Sequence, residues 1–292
     1  MSLLDRLDRA DRLERSPTTA SPARRGRGRR PGDLTTGAGI GLGIGVLWLS
    51  LLVLLPVAAI VAGAFQDGFA GFWASITDDE ALSTITFTVG AAALVTVVNA
   101  VMGTLIAWVL VRDRFPGQRV LEVVIDIPFA LPTIVAGLVL ITLYGPSGPF
   151  GVNLVGTRAG VVLALLFVTL PFVVRSVQPV LIDADREVEQ AAASLGASGF
   201  TIFRRVILPT VTPAVVSGAA LSFARALGEF GSVILISANL IGKTQVSSSY
   251  ILKMIESQEP VAAASVATLL LLVAVVVLVL LDVLQRRTAR RD

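Results

Sequence analysis

The chain has 292 residues, of which 54% are hydrophobic and only 15% are charged, and its mean hydropathy is +0.80. An average soluble domain carries about 25% charged residues, so this composition nearly excludes a soluble enzyme. The sequence contains no Cys and no His, which removes thiol nucleophiles, disulfides, zinc fingers and imidazole acid/base catalysis. We expect neither a metal site nor a cofactor.

The N-terminal segment carries the basic excess of the chain. Residues 1–33 contain nine Arg and five acidic residues, whereas the remainder has slightly more acidic than basic residues. Most of this segment is rich in Pro, Gly, Ser and Arg, which predicts a largely disordered tail. Apolar residues at helical spacing between Leu3 and Leu13 also fit a short amphipathic helix. Because the positive charge lies on a tail and not on a folded face, nucleic-acid binding is not expected.

Six segments are apolar enough to cross a bilayer, which takes about 20 residues of helix. The fourth is short, but Arg158 and Arg175 at its ends can reach outward to water. The fifth contains two charges, Arg225 and Glu229. The sequence therefore predicts an all-α, multi-pass membrane protein with six transmembrane helices. The segments are residues 34–66, 81–111, about 127–144, 159–174, about 212–236 and 260–281.

Basic residues mark one side of these segments. Of the 24 Lys and Arg residues, 20 lie in the N-terminal tail, in the links after the second and fourth segments and at the C-terminus, while three lie on the opposite side. Cytoplasmic loops are enriched in Lys and Arg, so we expect both termini in the cytoplasm. The predicted organisation is a tail over 1–33, a membrane domain over 34–285 and a second tail over 286–292.

The link between the fourth and fifth segments is long and does not have the composition of a loop. Asp183 to Ser198 is rich in Ala, Glu, Gln and Leu, which favour helix. Asp183 or Asp185 can cap its start and Gly196 suits its end. This predicts a short cytoplasmic helix, which either docks on another protein or packs on its own bundle.

The same link resembles the EAA signature of the permease subunits of binding-protein-dependent ABC importers. The family pattern is Glu-Ala-Ala, three residues, Gly, nine residues, Ile, one residue and Leu-Pro. This chain has Gln190-Ala191-Ala192, Gly196, Val206 and Leu208-Pro209 at those positions. Gln replaces the usual Glu, which puts any salt bridge from that position in doubt, and Glu189 is not an obvious substitute.

The resemblance implies a coupling helix, within residues 183–209, that sits in a cleft of the ATPase subunit. Small Ala side chains allow two subunits to approach closely, and Gly196 permits a backbone reversal that Ala would strain. Pro209 is expected to end the helix, so that coupling helix and span can pivot separately. The coupling positions implied are Gln190, Ala191, Ala192, Gly196, Leu208 and Pro209.

Three further segments resemble the sulfate and molybdate branch of this family. They are residues 126–133, residues 171–181, which are closest to the sulfate/thiosulfate T subunit, and residues 221–231. The likeness covers about residues 40–285 and implies a type I ABC importer permease fold and inward transport of sulfate or thiosulfate by alternating access. A molybdate or tungstate permease is the near alternative; an intramembrane enzyme and a structural scaffold are the distant ones.

The resemblance also implies the partners and the location. They are a homologous second permease, an ABC ATPase dimer, an extracytoplasmic sulfate-binding protein and the lipid of a bacterial plasma membrane. The sequence contains no P-loop of the form GxxxxGK[ST], so ATP hydrolysis is expected on a separate subunit and not on this chain.

Arg225 and Glu229 are the charges within a predicted span. Four residues apart, they share a face of a helix and can pair. They form either part of the translocation pathway or gate, with Arg225 facing an oxyanion, or a structural pair that locks the fifth span to a neighbour. Arg175 is expected to be an interface anchor, and Gly218, Gly228 and Gly231 are expected to allow close packing of helices.

Overall fold

The computed structural model describes residues 36–289, with side chains over 40–286, and no strand occurs in this range. The predicted tail over 1–33, with its alternative helix, lies outside the described residues. The chain divides at Leu55 into two units. The first contains helix α1 (Thr36–Leu49) and a π-helical turn (Ser50–Leu54). The helices of the second are α2 (Leu55–Ala64), α3 (Gly68–Thr77), α4 (Asp79–Arg112), α5 (Gln118–Ala130), α6 (Thr133–Tyr144), α7 (Arg158–Asp183), α8 (Arg186–Ser194), α9 (Gly199–Ile202), α10 (Leu208–Leu227), α11 (Gly231–Ile236), α12 (Ser247–Glu256) and α13 (Pro260–Ala289), with a second π-helical turn at Phe203–Ile207.

Five helical segments of the described range are long and apolar enough to cross a membrane. A sixth candidate is the pair α5 and α6, which are bent by 119° at the break between them. All-helical architecture and five to six spans confirm the predicted fold class. The five segments are Ile40–Ala64, Asp79–Arg112, Arg158–Asp183, Gly199–Leu227 and Pro260–Arg286.

Helices α4 and α7 run parallel to each other, and this settles what the bent pair does. Near their starts, the Arg158 guanidinium lies 5.4 Å from the Phe87 ring centroid. At mid-length, Asn99 donates a buried 2.8 Å hydrogen bond to Thr169 Oγ1. Because α4 and α7 run in the same direction, the chain between them must return along the bundle. Helices α5 and α6 make this return and together cover the length of the bundle. The bent pair is therefore the third crossing, and the described part of the chain contains six crossings.

The core of the second unit consists of two apolar clusters, one at each end of the bundle. The cluster beside α8 contains Ala107, Leu110, Val177, Leu181 and Ile207 among others. We call this the α8 end. The cluster at the opposite end joins α4, α6, α7 and α10 to α11, α12 and α13; its buried residues include Ile85, Leu140, Val161, Phe223 and Val266. Burying both clusters holds α4, α7 and α10 together over their full lengths.

The third crossing differs from the single helix predicted over about 127–144. It is two helices that meet at Leu131 and Pro132, both in extended conformation, with ψ of 134° and 133°. Proline cannot donate an amide hydrogen bond and pushes the residue before it out of helical conformation. The prediction of one span was wrong about the break, and α5 begins at Gln118, well before the predicted start.

The fourth and fifth crossings also have other limits than predicted. Helix α7 runs to Asp183, more than two turns beyond the predicted end at 174, and Pro171 and Pro179 lie inside it. The fifth crossing starts at Gly199 and ends at Leu227, so the predicted extension to 236 was wrong. Residues beyond Gly228 form the separate short helix α11.

Candidate coupling site and intramembrane ion pair

Helix α8 is the short helix that the sequence predicts. It is shorter than the predicted segment 183–198 and runs over Arg186–Ser194. The Asp185 side chain caps it by accepting a 2.8 Å hydrogen bond from the Glu187 amide. At the other end, Gly196 has φ +85°, and the amides of Gly196 and Ala197 donate to the carbonyls of Ala193 and Ala192. This is the glycine-terminated helix end known as the Schellman motif. The expected backbone reversal at Gly196 is confirmed.

The predicted coupling positions lie on an open surface of the α8 end. Gln190, Ala191 and Gly196 are exposed, and Ala192 is half-buried. Leu208 and Pro209 are exposed on the first turn of α10. Two large apolar side chains that the sequence reasoning missed flank the glycine turn: Leu195 is 90% exposed and Phe200 is 73% exposed. Their signal in the sequence is an apolar residue on each side of a glycine turn in a polar link.

Pro209 does not end the helix as predicted. The helical segment is continuous from Gly199 to Leu227, and Pro209 occupies its first α-turn after the π-helical stretch Phe203–Ile207. There the Leu208 amide donates to the Phe203 carbonyl, five residues back. The interruption lies instead at 195–198, between α8 and α9. Any pivot between α8 and the fifth crossing is therefore located at Gly196.

Two charged contacts hold α8 against the end of α4. Glu189 is paired with Arg112, whose side chain is only 10% exposed, and Arg186 donates a 3.2 Å hydrogen bond to the Val111 carbonyl. Arg112 also lies over the Trp108 ring, at 5.8 Å from its centroid. Sequence reasoning did not find these contacts, because residues 77 positions apart carry no local signal of pairing.

The intramembrane pair Arg225–Glu229 is formed. Glu229, however, is not on the helix with Arg225: α10 ends at Leu227, and Glu229 lies in the link before α11. Glu229 is 2% exposed, and its Oε1 accepts 2.9 Å hydrogen bonds from the amide and the hydroxyl of Ser232. The carboxylate therefore holds the start of α11 on one side and the Arg225 guanidinium on the other.

Arg175 is also held by a carboxylate. Its Nε donates a 2.8 Å hydrogen bond to Asp126, which it also contacts through Nη2, and its Nη1 donates at 2.6 Å to Gln178. Asp126 belongs to α5, so Arg175 ties α5 to α7. An interface anchor would leave the guanidinium free for lipid or water. The Arg175 guanidinium instead links two helices, so the expected role as an interface anchor was wrong.

The breaks in the third and fifth crossings lie against each other. A Cβ at Gly137 of α6 would come within 2.7 Å of the Ser232 carbonyl, and a Cβ at Gly231 would overlap Thr133. Gly218 allows a similar approach of α10 to Val173 of α7, at 2.8 Å. Close packing at Gly218 and Gly231 is thus confirmed. Gly228 is exposed with no close neighbour outside its own helix, so its predicted packing role was wrong.

At the opposite end, Lys253 donates to both carboxylate oxygens of Glu80 at 2.7 Å, which joins α12 to the start of α4. Burial raises the pKa of the neighbouring Tyr250 hydroxyl, and the carboxylates of Asp78, Glu80 and Glu259 add to that rise. Tyr250 is thus a neutral packing residue. Among the described residues, no group of three or more acidic side chains is placed to hold a metal ion.

Solved structures share this fold. A crystal structure of a bacterial ABC transporter involved in the import of alginate contains a chain that matches with a TM-score of 0.71 and 16% identity, over 85% of this chain and 94% of that one. The methionine ABC transporter MetNI, in inward-facing conformations, matches with a TM-score of 0.56 and 18% identity, over 71% and 95%. The fold is that of type I ABC importer permeases.

Relatives of known sequence are much closer. The CysT sulfate transport system permease protein of Synechocystis sp. is 42% identical over 82% of this chain and 87% of the relative. CysT of Escherichia coli is 39% identical over 84% and 91%. Residues 99–290 match the family model of the inner membrane component of binding-protein-dependent transport systems. The chain, with six crossings among its described residues and an exposed α8, belongs to this family.

Proposed function

We propose that the chain is the membrane permease subunit of an ATP-driven ABC importer that moves sulfate or thiosulfate into the cell. The observation that carries this is the 39–42% identity to sulfate permeases over most of both chains. A transporter is supported over an enzyme because the charged residues within the crossings pair with each other, as Arg225 does with Glu229 and Arg175 with Asp126. A molybdate or tungstate permease is less favoured, because these relatives are named as sulfate permeases.

The surface around α8 is the proposed ATPase-docking site. Gln190, Ala191 and Gly196 present small or uncharged groups, and exposed Leu195 supplies apolar area for a partner to cover. A largely exposed helix flanked by the exposed apolar side chains Leu195 and Phe200 is poorly explained by packing on its own bundle. Gln190 offers no charge to the ATPase, so we propose that docking here relies on shape and apolar contact.

The other partners follow from the same proposal. ATP is hydrolysed on a separate ATPase dimer, a homologous permease completes the translocation pathway, and an extracytoplasmic binding protein delivers the oxyanion. The solved complex of the alginate transporter with a substrate-bound periplasmic protein is a precedent for this arrangement in a protein of the same fold. We propose that both termini lie in the cytoplasm of a bacterial cell, on the same side as the α8 end.

The transport cycle proposed is alternating access. Closure of the ATPase dimer on ATP moves the coupling helices, and the crossings open outward to receive the oxyanion; hydrolysis returns them to the inward-facing state. For Arg225 and Glu229 we propose the structural role. The buried carboxylate neutralises the guanidinium and would repel sulfate, so the pair joins the fifth crossing to α11.

Uptake of labelled sulfate, with and without the gene, tests this function. Energy-dependent uptake should be lost on deletion, restored by the wild-type gene, and blocked by unlabelled thiosulfate in restored cells. Loss of molybdate uptake with unchanged sulfate uptake would support the role as a permease but would identify molybdate as the substrate in place of sulfate. Unchanged uptake of both oxyanions would reject the proposal.

A further inference from the structure

The link between α8 and α4 extends the proposed coupling beyond the helices that adjoin α8 in sequence. Covalently, α8 is joined to α7 through Ala184 and Asp185, and to α9 through residues 195–198. Helix α8 does not adjoin α4 in the sequence. Both charged contacts described above nevertheless reach the last two residues of α4, through Arg112 and the Val111 carbonyl.

These charged contacts are specific, whereas no residue of α8 is itself buried against a neighbouring helix. Toward α10, the underside of α8 faces a cavity of about 100 Å³, lined by Val188 and Glu189 on one side and Val206 and Thr210 on the other. Side chains that line this partly open gap lack contact partners across it, so they couple α8 to α10 only weakly. Toward α4, by contrast, the Arg112 side chain is almost completely withdrawn from water, and a buried charge needs its partner.

Helix α4 is built to carry a displacement along the bundle. It is 34 residues long, and at about 1.5 Å per residue it reaches from one end of the bundle to the other. Gly103 lets it approach Val173 of α7 closely. At the far end, Thr88 Oγ1 accepts a 2.9 Å hydrogen bond from the Ser247 amide, and the Ser248 hydroxyl donates at 2.8 Å to the Glu229 carbonyl.

We propose that Arg112 and Glu189 are positioning residues that make α4 the transmission element of the transporter. Movement of α8 on the ATPase pulls the Arg112 end of α4, and α4 carries the displacement to the Ser247–Ser248 segment beside Glu229. The proposal rests on the proposed function, and it assigns Glu189 to the interior of this subunit and not to the ATPase surface.

Charge reversal in the fully assembled transporter tests the pair. In Glu189→Arg and in Arg112→Glu, sulfate imported per ATP hydrolysed should fall by at least about fivefold, the low end of coupling between distant sites, while ATP hydrolysis continues. The double variant Arg112→Glu/Glu189→Arg should recover part of the loss, because it restores opposite charges. The control is Asp282→Arg, which breaks an exposed pair with Arg286 on α13 and should keep the wild-type ratio.

A probe on α4 separates transmission from damage to the fold. The chain has no Cys, and Gly90 is exposed with open space for a side chain, so a fluorophore on Gly90→Cys reports on the position of the far half of α4 relative to Arg158 and Gly242 nearby. ATP should change its signal in the assembled wild-type transporter and should not in Glu189→Gln, with equal amounts of complex in the membrane. An undiminished probe response together with a normal import ratio would overturn the proposal. Absence of ATP-driven sulfate import by the wild type would instead reject the proposed function.

Discussion

Gly196 is the residue at which the chain reverses as it leaves the coupling helix. Its φ of +85° lies in the left-handed region, where a residue with a Cβ costs about 1–2 kcal/mol, although Asn and Asp tolerate it better. No atom outside its chain neighbours lies within 4 Å of a Cβ added there. A side chain at 196 therefore projects from the subunit and meets whatever docks on α8.

We predict that Gly196→Asp abolishes transport while the protein stays in the membrane. Asp is among the residues that accept left-handed backbone, so the fold is kept, and the carboxylate intrudes on the docking surface. Sulfate uptake and the amount of membrane-bound protein should be measured together. The matched control is Gly199→Asp, three residues away, also exposed and without close neighbours but with no positive φ. Normal uptake by Gly196→Asp would contradict the coupling role.

Glu229 illustrates how burial decides between two roles for a charge. We predict that Glu229→Ala lowers the free energy of unfolding by about 3 kcal/mol, the lower end for breaking a buried ion pair, since the Arg225 side chain is 32% exposed. Ser232→Ala, which removes one hydrogen bond to the same carboxylate, should cost about 1 kcal/mol. Thermal unfolding of the purified protein in detergent compares them.

The double variant Arg225→Ala/Glu229→Ala gives the decisive comparison for this pair. Removing both charges leaves no buried ion without a partner, so the double variant should be more stable than Glu229→Ala alone. A double variant that unfolds like the wild type but cannot import sulfate would point to the pathway role instead.

At the scale of helices, the meeting of α6 and α11 depends on glycine. We predict that Gly137→Ala destabilises the protein by about 1–3 kcal/mol, the usual cost of overpacking, because the added methyl group would lie 2.7 Å from a backbone carbonyl that cannot rotate away. The same substitution at Gly90, where the space is open, should stabilise α4 by up to about 1 kcal/mol, the difference in helix propensity. Equal unfolding temperatures for the two variants would rule out the close contact.

The helices also show what sequence could and could not predict. Apolar runs found α4 almost to its ends and the start of α13, since burial in lipid requires long uncharged stretches, but α13 continues past the predicted end at 281 to Ala289. The start and end of α8 were predicted from capping residues, which act locally. The break at Pro132 was missed because an apolar run does not reveal whether a proline is accommodated, as at Pro171 inside α7, or interrupts the helix. That choice depends on the packing partner, here Gly231 of α11.

Pairs of charges are less predictable still. Arg225 and Glu229 could be paired from their spacing, although the helix that was to carry both ends between them. Glu189 was judged by its place on α8 alone, and its partner Arg112 became visible only when the parallel arrangement of α4 and α7 brought the two ends together. Long-range pairs follow from topology, which in turn follows from the whole set of crossings.

At the scale of the whole molecule, the number of crossings fixes on which side α8 lies. If α5 and α6 cross the membrane, α8 lies on the same side as the α4–α5 link, which we propose to be the cytoplasmic side. If they re-enter on one side, α8 and its neighbouring Arg186, Arg204 and Arg205 are outside, against the usual distribution of basic residues. The parallel course of α4 and α7 requires the first arrangement.

We therefore predict opposite labelling of two single-cysteine variants in the Cys-free chain. Val152→Cys, in the exposed link between α6 and α7, should react with a membrane-impermeant maleimide in intact spheroplasts. Asp183→Cys, exposed at the end of α7 beside α8, should react only after permeabilisation. The reverse pattern would place α8 outside the cell, whether by re-entry of α5 and α6 or by inversion of the whole bundle, and would remove α8 from any cytoplasmic ATPase. The expected pattern would leave α8 where only an ATPase inside the cell can reach it.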